Sequence, residues 1–176
     1  MVDAATSFKR APAGFASEQW QEFQNRGLLI IENAYSAREI EAWREAVLRL
    51  QGTRADGFFT LQNFVETDPA FASLIDHQAH VGLVYDLYGE MLKLQLSELF
   101  VRAPGDNARP ERWHIDGPRV LPYAAFAPGA PMQVKVGVWL TDVLQPGMGN
   151  LAFVPGSHRH QYFDAYDTEE TVDGEE

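Results

Sequence analysis

The sequence contains no cysteine, which excludes a disulfide framework, a zinc ribbon, an iron–sulfur cluster and a thiol nucleophile. Any metal site must therefore use histidine and carboxylate, and the chain has only 5 histidines to offer. Positive charge is also scarce: 14 Lys and Arg stand against 25 Asp and Glu, a formal net charge of -11. That sign opposes binding to phosphate backbones, so neither nucleic acid nor an anionic membrane surface is an expected partner. No apolar run approaches the ~20 residues of a membrane span, and residues 1–14 lack the apolar core of a signal peptide. A cytoplasmic protein is the expectation.

What is present points to one globular domain. A chain of 176 residues has the size of a single domain, and 11 Phe, 6 Tyr and 4 Trp supply the apolar surface for a real core. Residues 17–26 read as a short helix capped by Ser17 and stopped by Gly27, followed by a strand-length apolar run over 28–31. Ser36 and Glu39 have capping-box spacing and open an amphipathic helix to about Leu50, ended by Gly52. Ile40, Trp43, Val47 and Leu50 recur at helical spacing along it, so Trp43 reads as a core anchor. Asp68 followed by Pro69 predicts a helix to about His77, and residues 81–87 a further one before Gly89.

The pattern then turns to β. Residues 92–102 alternate as a half-buried strand does, residues 132–143 place Val134, Val136, Val138 and Leu140 on one face, and 151–154 is a short strand broken at Pro155. The expected fold is thus α+β, with helices over about 17–90 and a β-rich part over about 92–155, in one domain spanning 1–163. Residues 164–176 carry seven acids and no base, a composition that solvates itself, and a mobile tail is expected there.

Chemistry concentrates between two polar loops, 103–112 and 118–131. There His114 and Asp116 stand two positions apart, so on an extended strand both side chains project from one face and can converge on one ion. By itself a His-x-Asp triplet is a weak signal, and an ordinary hydrogen-bonded surface pair is its commoner explanation. His77 and His80, in a helical region, read as surface or capping residues. Asp106, Arg109, Glu111 and Arg112 read as a solvated loop cluster, and Gly147, Gly149 and Gly156 as turn glycines. Gln133 and Lys135 face either the interior or solvent, depending on register.

Several segments together carry a resemblance: residues 26–40; Trp113, His114, Ile115, Asp116 and Gly117; residues 136–142; and residues 149–159 with their Pro155, Gly156, Ser157, His158 turn. In this order they resemble the phytanoyl-CoA dioxygenase-like family of iron(II)/2-oxoglutarate oxygenases. The resemblance implies a double-stranded β-helix, a cupin-like jelly roll, with the N-terminal helices packed on it. It implies that His114 and Asp116 are two of three protein ligands to Fe(II), leaving room for 2-oxoglutarate and dioxygen. Asp116 implies a hydroxylase acting on a small organic molecule, since in the related halogenases a small residue stands at that position. Trp139 matches an aromatic that flanks the co-substrate, although a core role fits it equally.

The family's third ligand, a histidine, and the arginine that pairs with 2-oxoglutarate come on later strands, after the turn. His158 and His160 are the histidines downstream of Asp116, and His158 matches a turn histidine that is not a ligand; Arg159 is a poor stand-in for the arginine. The expectation is therefore a truncated form with an incomplete barrel, whose open strand edges leave a homodimer in play. The competing reading is a non-catalytic, degenerate jelly-roll domain used for binding or interaction. Zinc-dependent hydrolysis through His114, Asp116 and His158 ranks last for want of a general base.

Overall fold

The computed structural model describes residues 13–52, 59–102, 133–145 and 148–159. The first helix, α1, is Ser17–Arg26, and its N-cap is Ala16 rather than the expected Ser17. Alanine has no oxygen with which to cap, so Gln19 compensates by reaching back, its Oε1 accepting the Ala16 N–H at 3.0 Å. Gly27 closes the helix as anticipated, at φ 79° and with its N–H donated to the Phe23 carbonyl at 2.8 Å. The expected strand at 28–31 does not form a ladder among the described residues, and Ile30 is 63% exposed.

The second helix, α2, is Ala37–Gln51, and the capping box that predicted it is complete. The Glu39 N–H donates to Ser36 Oγ at 3.3 Å while the Ser36 N–H donates to Glu39 Oε2 at 2.8 Å. Its inner face carries Trp43, which is wholly buried with Ala46 and Phe71 at the centre of the core. The Trp43 indole N–H donates to the Ala70 carbonyl at 3.0 Å and to Ser73 Oγ at 3.2 Å, so the ring is both packed and satisfied.

Phe71 and its partners lie on Pro69–Leu74, a 3₁₀ helix where a longer helix to His77 was expected. Asp68 starts it as the sequence implied, Oδ1 accepting the Ala70 N–H at 2.9 Å, and Arg49 of α2 clamps the other carboxylate oxygen at 2.7 Å. The tighter winding is carried by i to i+3 bonds such as Ile75 N–H to the Ala72 carbonyl, after which the chain turns into α3, Val81–Tyr88.

The described sheet is small. A strand not foreseen in the helical half, β1 at Phe59–Gln62, pairs antiparallel with β2 at Glu98–Val101, aligning Phe59 with Val101 and Gln62 with Glu98. The strand expected over 92–102 is thus confined to its last residues, and Leu94 and Leu96 before it are exposed. The sheet is two-stranded and open among the described residues. Residues 133–145 make no ladder there, yet they keep the alternation read from the sequence: Val138 and Leu140 pack against the Trp43 core. Val136 leaves the expected face and is 44% exposed. The strand expected over 151–154 is reduced to a single bridge at Phe153.

Candidate functional site

His114, Asp116 and His160 lie outside the described residues, as do the loop cluster 106–112, Gly147 and the tail. Trp139 and His158 are described, on the stretch that runs from the core to the carboxyl end of α1.

Trp139 stands between two core-facing neighbours, and extended backbone sends its side chain the opposite way. It is 50% exposed, so the core reading of this tryptophan does not hold. Gly137, two residues before it on the same side, leaves the space the indole occupies: a Cβ there would stand 2.7 Å and 2.9 Å from Trp139 ring carbons. The ring is folded back over the chain with half its surface open. Lys135 is exposed on this stretch and Gln133 is half-buried.

His158 belongs to a 3₁₀ turn, Ser157–Arg159, that docks on α1. Its Nε2 lies 3.0 Å from the Gln24 carbonyl, 134 residues earlier in sequence. A carbonyl only accepts, so Nε2 carries a proton and donates. Nδ1 is turned toward Gly27, where an added Cβ would overlap the imidazole. Beside this contact the Gly156 N–H donates to the Arg26 carbonyl at 2.8 Å, and the Arg26 guanidinium lies 5.6 Å from the centre of the Phe153 ring. Both imidazole nitrogens of His158 therefore face the end of a helix.

The other two described histidines build a polar joint in the helical layer. His80 is buried, at 8% exposure, and precedes α3 as its N-cap residue. Its Nε2 lies 3.0 Å from the Leu74 carbonyl and must donate, which leaves Nδ1 to accept the Tyr35 hydroxyl at 2.9 Å. Burial pushes the His80 pKa below the ordinary histidine value, and neighbouring His77 pushes the same way. The Leu74 carbonyl and Asp76 oppose that shift. His77 accepts the Ala79 N–H on Nδ1 at 3.1 Å and presents Nε2 to Glu39 Oε1 at 2.9 Å. The Ser36 hydroxyl first, and His77 second, hold the Glu39 carboxyl down to about 2. Burial, then the Glu39 charge, raises the Tyr35 phenol. A surface role does not fit His80, and its side chain makes no capping bond to α3 although its backbone stands at the N-cap position.

A groove of about 560 Å³ runs outside this joint, lined by Glu39, Ser73, Asp76, His77 and Gln78. Its Glu39 and His77 are engaged with each other, so the wall is held by structural bonds. Among the described residues no group of three or more His, Asp or Glu side chains is placed to hold a metal ion. None of their helices is long and apolar enough to cross a membrane.

The joint of Tyr35, His77 and His80 was not legible as a unit, because Tyr35 lies before α2 while His77 and His80 lie on the connection into α3, some forty residues later. The capping box was the one local signal that pointed toward it. A family model described as Phytanoyl-CoA dioxygenase (PhyH) matches residues 23–175. Neither the curated proteins nor the solved structures include a match to the chain.

Proposed function

The chain belongs to the phytanoyl-CoA dioxygenase family, and from that premise we propose that it is an Fe(II)- and 2-oxoglutarate-dependent oxygenase that hydroxylates a small organic molecule. The observation that carries this reading is the family match over residues 23–175, inside which His114 and Asp116 stand at ligand spacing. An imidazole and a carboxylate are the donor set that suits non-haem Fe(II) and leaves coordination positions open. When bound, the iron with 2-oxoglutarate supplies the oxidising power for C–H hydroxylation, dioxygen being consumed as the keto acid becomes succinate and CO2.

The residues of the chain divide the remaining work. His114 and Asp116 would hold the metal, at the two-residue spacing read from the sequence. Trp139 offers its open indole face to the co-substrate, a flat apolar wall beside a polar ligand; half exposure of that ring supports the assignment. Two ligands alone hold a metal weakly. With both nitrogens of His158 facing α1, His160 is the downstream histidine left for the third position. The cupin-like jelly roll is the fold this reading requires around the sheet described above.

The test is an anaerobic Fe(II) titration with 2-oxoglutarate, followed by the weak visible charge-transfer band of the chelate. A band that vanishes in His114→Ala and in Asp116→Ala is the expected result. A folded protein that gives no band would overturn the proposal in favour of a non-catalytic domain of the same family.

A further inference from the structure

We propose that the crevice where residues 13–15 cross α3, walled by Phe15, Trp20 and Asp86, is a binding site for a small organic cation bearing a methylated ammonium group. It shares no residue with the oxygenase reading above and does not rest on it.

The walls follow from local sequence. Residues 13–15 lie against α3 at two glycines: a Cβ on Gly82 would overlap the Ala13 carbonyl, and one on Gly14 would overlap the Asp86 carboxylate. Asp86 of α3 then fixes the crossing, its Oδ2 accepting the Phe15 N–H at 2.8 Å. Trp20 and Phe23, three positions apart, share a face of α1, and their rings lie 5.2 and 5.3 Å from that of Phe15. The planes of Phe15 and Trp20 stand 65° apart, so the pair makes a corner and not a plate. Phe15, Ser17, Trp20 and Asp86 line a crevice of about 340 Å³ there, the size at which small-molecule sites begin.

The chemistry of this lining selects among ligands. Asp86 uses one oxygen on the Phe15 N–H and has no Lys or Arg partner among the described residues, so its charge is open to a ligand. A carboxylate repels an anion, and one carboxylate with one hydroxyl offers too few oxygens for a hard divalent cation. An ammonium with free N–H groups must exchange its water for acceptors, and Asp86 and Ser17 are few for three donors. Methyl groups in place of those hydrogens remove that demand. They leave a weakly hydrated cation that the aromatic faces attract through their quadrupole and Asp86 through its charge. The amino end of α1 beside the crevice opposes a cation, but Glu18 in its first turn and Asp86 itself offset that partial charge. The net charge of -11 adds a field of the favourable sign.

The test titrates the full-length, iron-free protein with tetramethylammonium chloride, and in parallel with ammonium chloride and sodium chloride at equal ionic strength. Nuclear magnetic resonance follows the Trp20 indole N–H, assigned by its absence in Trp20→Phe, and the backbone amides of Phe15 and Asp86. Tetramethylammonium should give saturable shifts centred on these groups, with a Kd on the order of millimolar, and the other two salts should give none that saturate. Trp20→Leu should bind roughly five- to tenfold more weakly, whereas Trp20→Phe, which keeps an aromatic face, should stay within about threefold of wild type. Asp86→Asn keeps an acceptor for the Phe15 N–H and should weaken binding roughly threefold through its lost charge. Circular dichroism confirms that each variant is folded. Saturating shifts of equal size with ammonium would overturn the preference for methylated cations and leave an ordinary surface carboxylate. Shifts that stay linear to the end of the titration, or that centre on the other tryptophans, would overturn the site. Wild-type affinity in both folded Trp20→Leu and Asp86→Asn would overturn it equally. No iron or 2-oxoglutarate enters the titration, so its failure is distinct from failure of the oxygenase reading.

Discussion

Replacing Trp43 tests the core most directly, because its two substitutions separate packing from hydrogen bonding. The indole is 1% exposed and lies edge-on to Tyr35 at 5.1 Å between ring centres. A buried aromatic removes ~200 Å² from water, worth ~5 kcal/mol at ~25 cal/mol per Å², and measured truncations of such residues cost about 3–5 kcal/mol because neighbours partly collapse. Trp43→Ala should therefore lose about 4 kcal/mol. Trp43→Phe keeps most of the packing and loses the indole N–H. The Ala70 carbonyl is not orphaned by that change, since Ser73 Oγ still donates to it at 2.9 Å. With about 1 kcal/mol for the net hydrogen bond and a similar amount for the smaller ring, Trp43→Phe should cost about 2 kcal/mol. Urea unfolding followed by far-ultraviolet circular dichroism measures both. Equal losses for Phe and Ala would show that the indole N–H, not the packed ring, dominates; a loss below about 1 kcal/mol in Trp43→Ala would refute its place at the centre of the core.

Acid titration of stability has two parts with the same sign. The pKa of His80 is depressed by burial, so its contribution is present above the unfolded value of ~6.5 and is lost as pH falls through the lower folded value; urea midpoints should decline from pH 7 toward 5 and decline less in His80→Gln. The Glu39 carboxyl is held down to about 2, so its contribution is present above the ordinary carboxylate value and fades as pH falls from about 4.5 to about 2; Glu39→Gln should flatten that portion of the curve. Trp139→Ala should leave the unfolding free energy from urea titration within ~0.5 kcal/mol of wild type, as a half-exposed ring implies, while weakening 2-oxoglutarate binding in the Fe(II) titration. Asp68→Asn should lower the thermal midpoint by removing the carboxylate that Arg49 clamps, an effect that added salt should shrink.

The helices were legible because their signals are local. The Ser36 and Glu39 box, the 3.6-residue recurrence that singled out Trp43, and the stop at Gly27 each depend on residues within a turn or two of one another. The period-2 pattern over 132–143 likewise located Val138 and Leu140 on the core side. It could not show which strand lies beside them, because pairing is a property of two segments. For the same reason β1 was missed and the apolar run at 28–31 was read as a strand: four residues carry too little pattern to declare a ladder, and an apolar run does not name its partner. The candidate ligands His114 and Asp116 were legible from spacing and resemblance alone, and they lie outside the described residues.

By itself, then, the sequence determined the family, the histidine and carboxylate donors open to it, the extents of α1, α2 and α3 and the core anchor, since each is written in residue type and short-range spacing. The tertiary structure alone decided that His158 faces α1, that His80 is buried between Tyr35 and Leu74, and that Trp139 lies open over Gly137. The first two depend on distances between segments far apart in sequence. The third depends on which side of an extended chain is turned to the core, which the alternating pattern left undecided until Val138 and Leu140 met Trp43.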